Sequence, residues 1–302
     1  MKITLPDNSS RELPEGSSGY DLAKDIGPGL AKSAIAVTID GVQKDLYDVI
    51  DSDASVSIIT IDSDEGVEIM RHTLTAQVLA RAIKNLYPES KLAIGPTVKD
   101  GFYYDVESDQ SISSDDLSKI EEEMKKIIKT KSAITKKLVS KKEALKIFKS
   151  NKEPYKEIII NESDQDDDFQ LYYQDDEEFV DLCRGPHLPN LGFIGSFKLT
   201  KVSGAYWKGD SKNSMLTRIY GTAFSNDKDL QNHLENVEEA LKRDHRKLGK
   251  EMDLFHFQDE APGMVFWHPN GWTVYRKLRN FVRDRLKENN YIEVNTPQVI
   301  DR

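Results

Sequence analysis

The sequence has little of three things: cysteine, long apolar runs and net positive charge. Its 302 residues contain one cysteine, so no disulfide can form within the chain, which is typical of a reducing compartment. No stretch approaches the roughly 18 consecutive apolar residues of a membrane helix. The first residues also lack the apolar core of a secretory signal. We therefore expect a cytoplasmic protein that crosses no membrane.

The charge is unevenly distributed along the chain. A net charge of −10 argues against general attraction to nucleic acid. Residues 158–182 contain many acids and no lysine or arginine, whereas residues 241–250 contain five bases and one acid. Lysines also concentrate between residues 125 and 148. These local basic patches leave RNA open as a partner.

The first 62 residues predict a small α+β domain. The segments "KITLP", "AIAVTIDG" and "SVSIITI" are typical of strands, and "SSGYDLAKDIG" is typical of a helix. Turn-forming residues separate them. We place the boundary of this domain at "DSDEG", residues 62–66.

Residues 63–224 predict a second α+β domain. The stretch "VEIMRHTLTAQVLARAIKNLYP" has helical periodicity, which Pro88 ends. "LAIGPTVKDGFYYDV" predicts two strands around a Lys-Asp-Gly turn, "EPYKEIII" and "FQLYYQ" predict further strands, and residues 195–224 predict a hairpin. The charged stretch "SISSDDLSKIEEEMKKIIK" predicts a solvated helix that begins at a serine N-cap.

The remaining residues predict a linker and the beginning of a further domain. Residues 225–245 are typical of a long charged helix, and such helices usually bridge domains. Residues 246–302 contain an amphipathic helix that leads into a strand broken at Pro297.

The stretch "DLCRGPH" holds the single cysteine, Cys183, four residues before His187. Gly185 and Pro186 lie between them and disfavour a helix, so we expect a turn or an irregular loop, where functional residues concentrate. From spacing alone the pair is open to three interpretations: half of a metal site, a nucleophile with its base, or two unrelated residues.

Four separated stretches together resemble threonyl-tRNA synthetase of the bacterial type. "IGPTVKDGFYYDV", "DLCRGPH" and "KVSGAYWKGDSKNSMLTRIYGTA" look like its amino-terminal editing domain, and "RKLRNFVRDRLKENNYIEVNTPQVI" looks like the first class II synthetase motif. Residues 1–62 are similar to its ubiquitin-like β-grasp (TGS) domain. The resemblance covers nearly the whole chain, in the family's domain order.

The resemblance implies an activity for each part. The family attaches threonine to its tRNA in a class II catalytic domain that would begin near residue 246, and ATP, Mg and zinc are implied only for that core, beyond residue 302. The implied partner is the acceptor end of tRNA(Thr), and the implied assembly is a homodimer through motif 1. Within residues 63–224 the implied activity is hydrolysis of seryl-tRNA made in error. A single methyl distinguishes threonine from serine by only about 1–3 kcal/mol, so a second, hydrolytic sieve is needed.

The resemblance also implies an editing pocket, residue by residue. Its catalytic residues would be His72, Lys156, Asp181, Cys183 and His187, and its substrate-binding residues would be Gln77, Tyr103, Tyr104 and Arg184. We expect a water nucleophile and Lys156 near the developing oxyanion. Lys156 is predicted to lie on a strand, and only one of the two tyrosines can face the pocket. Two histidines and a cysteine suit zinc, but the family implies no metal here.

The sequence departs from the family at the pocket helix. The family's helix presents two histidines four residues apart, whereas Ala76 stands four residues after His72. An alignment from the following strands puts Gln77 at this position, in a stretch one residue longer. A π-bulge would absorb the extra residue. Either way the second imidazole is missing, which predicts weakened hydrolysis. Two alternatives remain: a non-catalytic tRNA-binding module, and a free-standing editing hydrolase that acts in trans.

Overall fold

The computed structural model describes residues 1–174 and 179–296. Contacts between Cα atoms divide the chain into two compact units, Met1–Leu230 and Gln231–Arg302. Both helices and sheets are present, so the α+β prediction is confirmed. Within the described residues, no helix is long and apolar enough to span a membrane.

The amino-terminal residues form a mixed sheet with one helix across it. The elements are β1 (Lys2–Thr4), β2 (Ser10–Glu12), α1 (Gly19–Ile26), α2 (Pro28–Ser33), β3 (Ala34–Ile39), β4 (Val42–Asp45) and β5 (Ala54–Thr60). The strand order is β2-β1-β5-β3-β4, with β1 parallel to β5. Helix α1 begins at a capping box between Ser18 and Asp21. Leu22 of this helix packs on Ile3, Val37 and Val56 of the sheet. We call this the first sheet.

A long helical segment follows and forms the centre of the largest core. It consists of α3 (Asp64–Thr73), a π-helical turn (Leu74–Leu79) and α4 (Ala80–Leu86). The N–H of Ala80 donates to the carbonyl of Thr75, five residues earlier, as in a π-helix. The predicted π-bulge is therefore confirmed. The helix ends at Leu86 because Pro88 restricts the residue before it and cannot continue the ladder.

The remaining α-helices and β-strands of this unit are β6 (Lys91–Leu92), β7 (Thr97–Val98), β8 (Gly101–Glu107), α5 (Leu117–Lys129), β9 (Ile134–Val139), α6 (Lys141–Ser150), α7 (Pro154–Glu162), β10 (Phe169–Gln174), β11 (Val180–Leu182), β12 (Ser196–Tyr206) and β13 (Met215–Phe224). The helical segment packs against a second sheet with the strand order β12-β13-β8-β6, in which β7 also pairs with β8. A third sheet has the order β11-β10-β9.

Two local predictions in this unit are wrong. "EPYKEIII" is the helix α7 rather than a strand, because Pro154 occupies its first helical position and its buried side chains include Tyr155, Lys156 and Ile160. Helix α5 is not fully solvated. Ile120, Met124 and other apolar residues are buried in the core. Glu121 is buried as well and accepts from the Leu199 N–H.

Past Leu230 the chain forms a second unit. It holds most of α8 (Asp227–Lys242), then α9 (His245–Glu251), the pair β14 (Phe255–His256) and β15 (Phe266–Trp267), and α10 (Pro269–Glu288). The long charged helix is thus interrupted, since Asp244 caps the start of α9. Residues 291–296 are not a strand. Pro297, where the predicted strand would break, lies outside the described residues.

Candidate functional site

A cavity of about 830 Å³ brings together residues from distant parts of the chain. Five of the predicted site residues line it: His72, Lys156, Asp181, Cys183 and Arg184. They come from α3, α7, β11 and the loop that follows β11. The other predicted residues, His187, Gln77, Tyr103 and Tyr104, are not part of its wall.

The irregular segment of residues 183–187, which we call the cysteine loop, follows β11 directly. Gly185 has a φ of +65°, and a Cβ atom there would lie 2.0 Å from the Tyr172 Oη. Only glycine combines this backbone conformation with such a close approach. The Gly185–Pro186 peptide is cis. The prediction of an irregular loop at Cys183 is therefore confirmed.

Cys183 and the two histidines form a compact cluster. The His72 Nε2 lies 2.7 Å from the Cys183 Sγ. The rings of His72 and His187 stack with their centroids 4.7 Å apart. Burial lowers the pKa of His72 to about 4, and the Lys156 ammonium contributes in the same direction. Burial lowers the pKa of His187 well below its ordinary value, and the neighbouring His72 has a smaller effect in the same direction. Both imidazoles are therefore neutral at pH 7.

The thiol of Cys183 is not activated. Burial raises its pKa to about 12, and the nearby Asp181 carboxylate adds to this, although the Gly185 N–H donates to the sulfur at 3.3 Å. A protonated thiol is a poor nucleophile. Among the described residues, His72, Cys183 and His187 are the group that could hold a metal ion, since their ligand atoms lie within 4.8 Å of one another. Such a set of nitrogen and sulfur donors suits zinc.

Lys156 and Asp181 form a buried ion pair at the cavity. The Lys156 Nζ lies 2.6 Å from the Asp181 Oδ1, and each side chain is less than 5% exposed. Burial raises the pKa of Asp181, and the Lys156 ammonium, the Leu182 N–H and the Tyr104 hydroxyl oppose that rise. The Tyr104 Oη donates to the Asp181 Oδ2 at 3.4 Å. A lysine charge therefore lies at the wall of the cavity, held by residues with almost no access to water.

The two adjacent tyrosines of β8 point to opposite sides of their sheet. Tyr104 is fully buried next to Asp181. The Tyr103 ring lies 3.9 Å below the guanidinium carbon of Arg218, and its centroid is 5.7 Å from the centroid of the Tyr220 ring. Of the two, Tyr104 reaches the residues around the cavity.

Ala76, four residues after His72, lines the cavity, whereas Gln77 does not. Gln77 is fully buried, and the Gln174 Nε2 donates to its backbone carbonyl at 2.8 Å. Its Oε1 lies 3.5 Å from the same nitrogen. In the π-helical turn, Gln77 is thus directed toward β10. The side chain that this turn contributes to the cavity wall is the methyl group of Ala76.

Arg184 is exposed and lines the main cavity together with a second one of about 440 Å³. This second cavity lies between β4 of the first sheet and the third sheet, and its wall includes Asp45, Lys136 and Tyr172. Arg184 therefore stands where the two cavities adjoin, with its guanidinium available to an anionic ligand.

Three residues near the site were not predicted from the sequence. The Thr73 Oγ1 lies 3.1 Å from the His187 Nδ1 and accepts from the Leu188 N–H. The Tyr172 ring packs edge-on against the His187 ring at 4.3 Å. The Asp45 Oδ1 accepts from the His187 N–H at 2.8 Å. Thr73 follows His72 directly, so the sequence already placed it on the same predicted helix. The roles of Asp45 and Tyr172 depend on contacts between distant segments.

Comparison with known proteins gives two domain matches. The TGS domain family matches residues 1–60, and the family described as "Threonyl and Alanyl tRNA synthetase second additional domain" matches residues 170–220. With the β-grasp sheet and the His/Cys cavity, these domains define a chain of the aminoacyl-tRNA synthetase class.

Two curated relatives are similar to the chain over nearly its whole length. The threonine–tRNA ligase of Prochlorococcus marinus (strain MIT 9211) is 51% identical over 303 residues, and that of Hahella chejuensis (strain KCTC 2396) is 49% identical over 300 residues. Each alignment covers 99% of this chain and 47% of the relative. These similarities relate the chain to threonyl-tRNA synthetases. It spans about half the length of the curated relatives it matches.

Proposed function

We propose that the main cavity hydrolyses the ester of seryl-tRNA(Thr), as the editing site of a threonine–tRNA ligase. The observation that carries the proposal is the buried Lys156 at the cavity wall, beside Asp181 and the His72–Cys183 pair. A lysine held in a site with little water stabilises the oxyanion that develops when the ester carbonyl is attacked. The cavity volume of about 830 Å³ is within the range of small-molecule sites.

The proposed nucleophile is a water molecule. Because the pKa of Cys183 is raised to about 12, the thiol carries its proton at neutral pH. A thiol attack would also create an acyl-enzyme that needs a second hydrolysis. We propose that the step requires no metal ion. Dialysis against a chelator is then expected to leave the rate unchanged.

The proposed hydrolysis is slow, because the available bases are weak. His72 has a pKa of about 4, and a general base works best when its pKa is near the working pH. Ala76 offers no second imidazole. The same residue favours a second candidate function, in which the cavity holds the acceptor end of tRNA(Thr) without cleaving the ester. Arg184, which is exposed at the rim, would contact its phosphates.

For the whole protein we propose aminoacylation of tRNA(Thr) with threonine, with ATP, Mg and zinc bound in a class II core and with dimerisation through motif 1. We propose residues 1–62 as the TGS domain, 63–224 as the editing domain, 225–245 as the linker helix and 246–302 as the start of the catalytic domain. A free-standing hydrolase that acts in trans is the remaining alternative, and it predicts full editing by this chain without the core.

A single-turnover assay tests the proposed function. The chain is mixed in excess with seryl-tRNA(Thr) or threonyl-tRNA(Thr), and loss of each ester is followed beside a gel-shift measurement. We expect seryl-tRNA(Thr) to be deacylated faster than its uncatalysed hydrolysis and threonyl-tRNA(Thr) to remain intact. Binding of both without acceleration of either would favour the tRNA-binding function instead.

An intact-mass measurement on acid-quenched reactions separates the two nucleophiles. A water nucleophile leaves the protein mass unchanged throughout the reaction. A seryl adduct on the chain, lost in a Cys183→Ala variant, would assign the attack to the thiol.

A further inference from the structure

Asp45 links the first sheet to the cysteine loop, although the two lie far apart in sequence. It is the last residue of β4. Its Oδ1 accepts from the His187 N–H at 2.8 Å, across 142 residues. Its Oδ2 accepts from the Tyr172 hydroxyl at 2.8 Å, across 127 residues. One carboxylate therefore holds both the backbone of the loop and the ring that packs on it.

Lys136 keeps this carboxylate in place. Its Nζ lies 3.0 Å from the Asp45 Oδ2 and also binds Asp48. Burial acts to lower the pKa of Lys136, but the Asp48 and Asp45 carboxylates raise it overall. Lys136 is thus charged at neutral pH. Hydrogen bonds to ionised groups are shorter and stronger than neutral ones. The Asp45 contacts therefore connect β4 strongly to the cysteine loop, and we call this connection the tether.

The tether reaches the residue that organises the histidine cluster. His187 is buried, its ring stacks on His72, and its Nδ1 lies 3.1 Å from the Thr73 Oγ1. These contacts fix the ring, whereas the contact that fixes the backbone N–H comes from Asp45. A buried N–H without an acceptor is costly. Loss of the carboxylate therefore favours an open loop, in which His187 and Cys183 leave their positions together.

We propose that Asp45 is a positioning residue of the main cavity: the first sheet completes the site by holding the cysteine loop closed through the His187 N–H. In its catalytic consequence the proposal rests on the proposed editing function. Its structural consequence is independent of that function, because Cys183 is half-buried in the closed loop and an open loop would expose it further.

The single cysteine of the chain makes the loop directly measurable. The rate at which a disulfide reagent such as DTNB modifies the native protein reports on Cys183 alone. We compare Asp45→Ala with Asp48→Ala, a control that also binds Lys136 and accepts from the Asp45 N–H, but whose carboxylate does not accept from the His187 N–H. Asp45→Asn retains an oxygen acceptor for the His187 N–H, and Tyr172→Phe retains the ring while removing its hydroxyl.

We expect Asp45→Ala to raise the labelling rate by about tenfold or more, Asp48→Ala to change it by less than about twofold, and Asp45→Asn to restore most of the protection. The rise should persist unchanged in low urea, as local opening does. A rate that follows global unfolding in urea, or an equal rise in Asp48→Ala, would overturn the proposal. An unchanged rate in Asp45→Ala would do the same.

Seryl-tRNA(Thr) single turnover then tests the catalytic consequence. We expect Asp45→Ala to lower the rate constant at saturation by about tenfold with little change in the half-saturating protein concentration, and Asp45→Asn to recover most of it. If the unaltered chain does not hydrolyse the ester, the proposed function fails, and the labelling experiment still decides the role of Asp45. If it hydrolyses the ester and Asp45→Ala is equally fast, the positioning role fails alone.

Discussion

The ammonium of Lys156 and the carboxylate of Asp181 are 2.6 Å apart, and both side chains are almost completely buried. Lys156 comes from the first turn of α7 and Asp181 from the centre of β11. A buried ion pair adds little net stability, because the cost of removing both charges from water offsets their attraction. Removal of one partner is costly, because it leaves the other charge buried without compensation. Substitution of either residue therefore tests whether Lys156 and Asp181 are buried against each other.

Removal of Lys156 alone should destabilise the chain strongly. In Lys156→Met the Asp181 carboxylate is left buried without its counter-charge, and we expect a loss of about 3–5 kcal/mol in the free energy of unfolding. The double variant Lys156→Met, Asp181→Leu should recover most of that loss. Urea denaturation of the two single variants and the double variant measures the coupling. As a control, Lys126→Met should have a small effect, because the Lys126 side chain is exposed where it pairs with Glu123. Additive losses would contradict the buried pair.

A histidine at position 76 should accelerate the proposed hydrolysis. Ala76 lines the cavity one helical turn from His72, so Ala76→His places a second imidazole at the cavity wall. General acid–base assistance is worth about 10²–10⁴-fold, which bounds the expected gain in the single-turnover rate. The matched control is Gln77→His. Its side chain lies toward Gln174, and it should give no acceleration. Equal rates in both variants and in the unaltered chain would show that the missing imidazole is silent.

Acid should destabilise the chain through His72. Its pKa is about 4 in the folded chain and about 6.5 when unfolded. Between these values the unfolded state binds the proton, so the free energy of unfolding falls as the pH is lowered from about 6.5 to 4. The loss from this group is at most about 3 kcal/mol.

Urea unfolding between pH 7.5 and 4.5 measures this effect against a His72→Asn variant, which should lose less stability over the same range. Subtraction of the two curves removes the contribution of Asp181, whose raised pKa acts in the opposite direction. His245→Asn, at an exposed histidine, serves as the control. Parallel curves for the unaltered chain and His72→Asn would contradict the assignment.

Two glycines with positive φ allow the energetic cost of backbone strain to be measured apart from the cost of a steric clash. A Cβ atom at Gly209 has nothing within 4 Å, whereas one at Gly185 meets the Tyr172 Oη at 2.0 Å. Gly209→Ala should cost only the conformational penalty of about 1–2 kcal/mol. Gly185→Ala should cost more, since Tyr172 must also move, and should raise the labelling rate of Cys183. Thermal unfolding of both variants provides the comparison, and equal losses would mean that the cysteine loop is not packed on Tyr172.

The sequence by itself determined the order of most helices and strands. The alternating pattern of the first 60 residues, the hairpin of β12 and β13, and the stop at Pro88 are local signals of periodicity and turn chemistry, and a local signal needs no knowledge of the fold. The extra residue before Gln77 was expected from the resemblance to the family and not from a local signal, and the chain forms a π-helical turn there. Cys183 and His187 were apparent as a loop pair because Gly185 and Pro186 separate them.

Only the tertiary structure decided which side chains meet at the cavity. "EPYKEIII" has an apolar run typical of a strand, yet packing of Tyr155 and Ile160 favours a helix that turns Lys156 inward toward Asp181. Ala76 lines the cavity, while Gln77 is buried beside Gln174 of a distant strand. Asp45 touches His187 across 142 residues. Such contacts arise when separate sheets pack, and no short window of sequence records them.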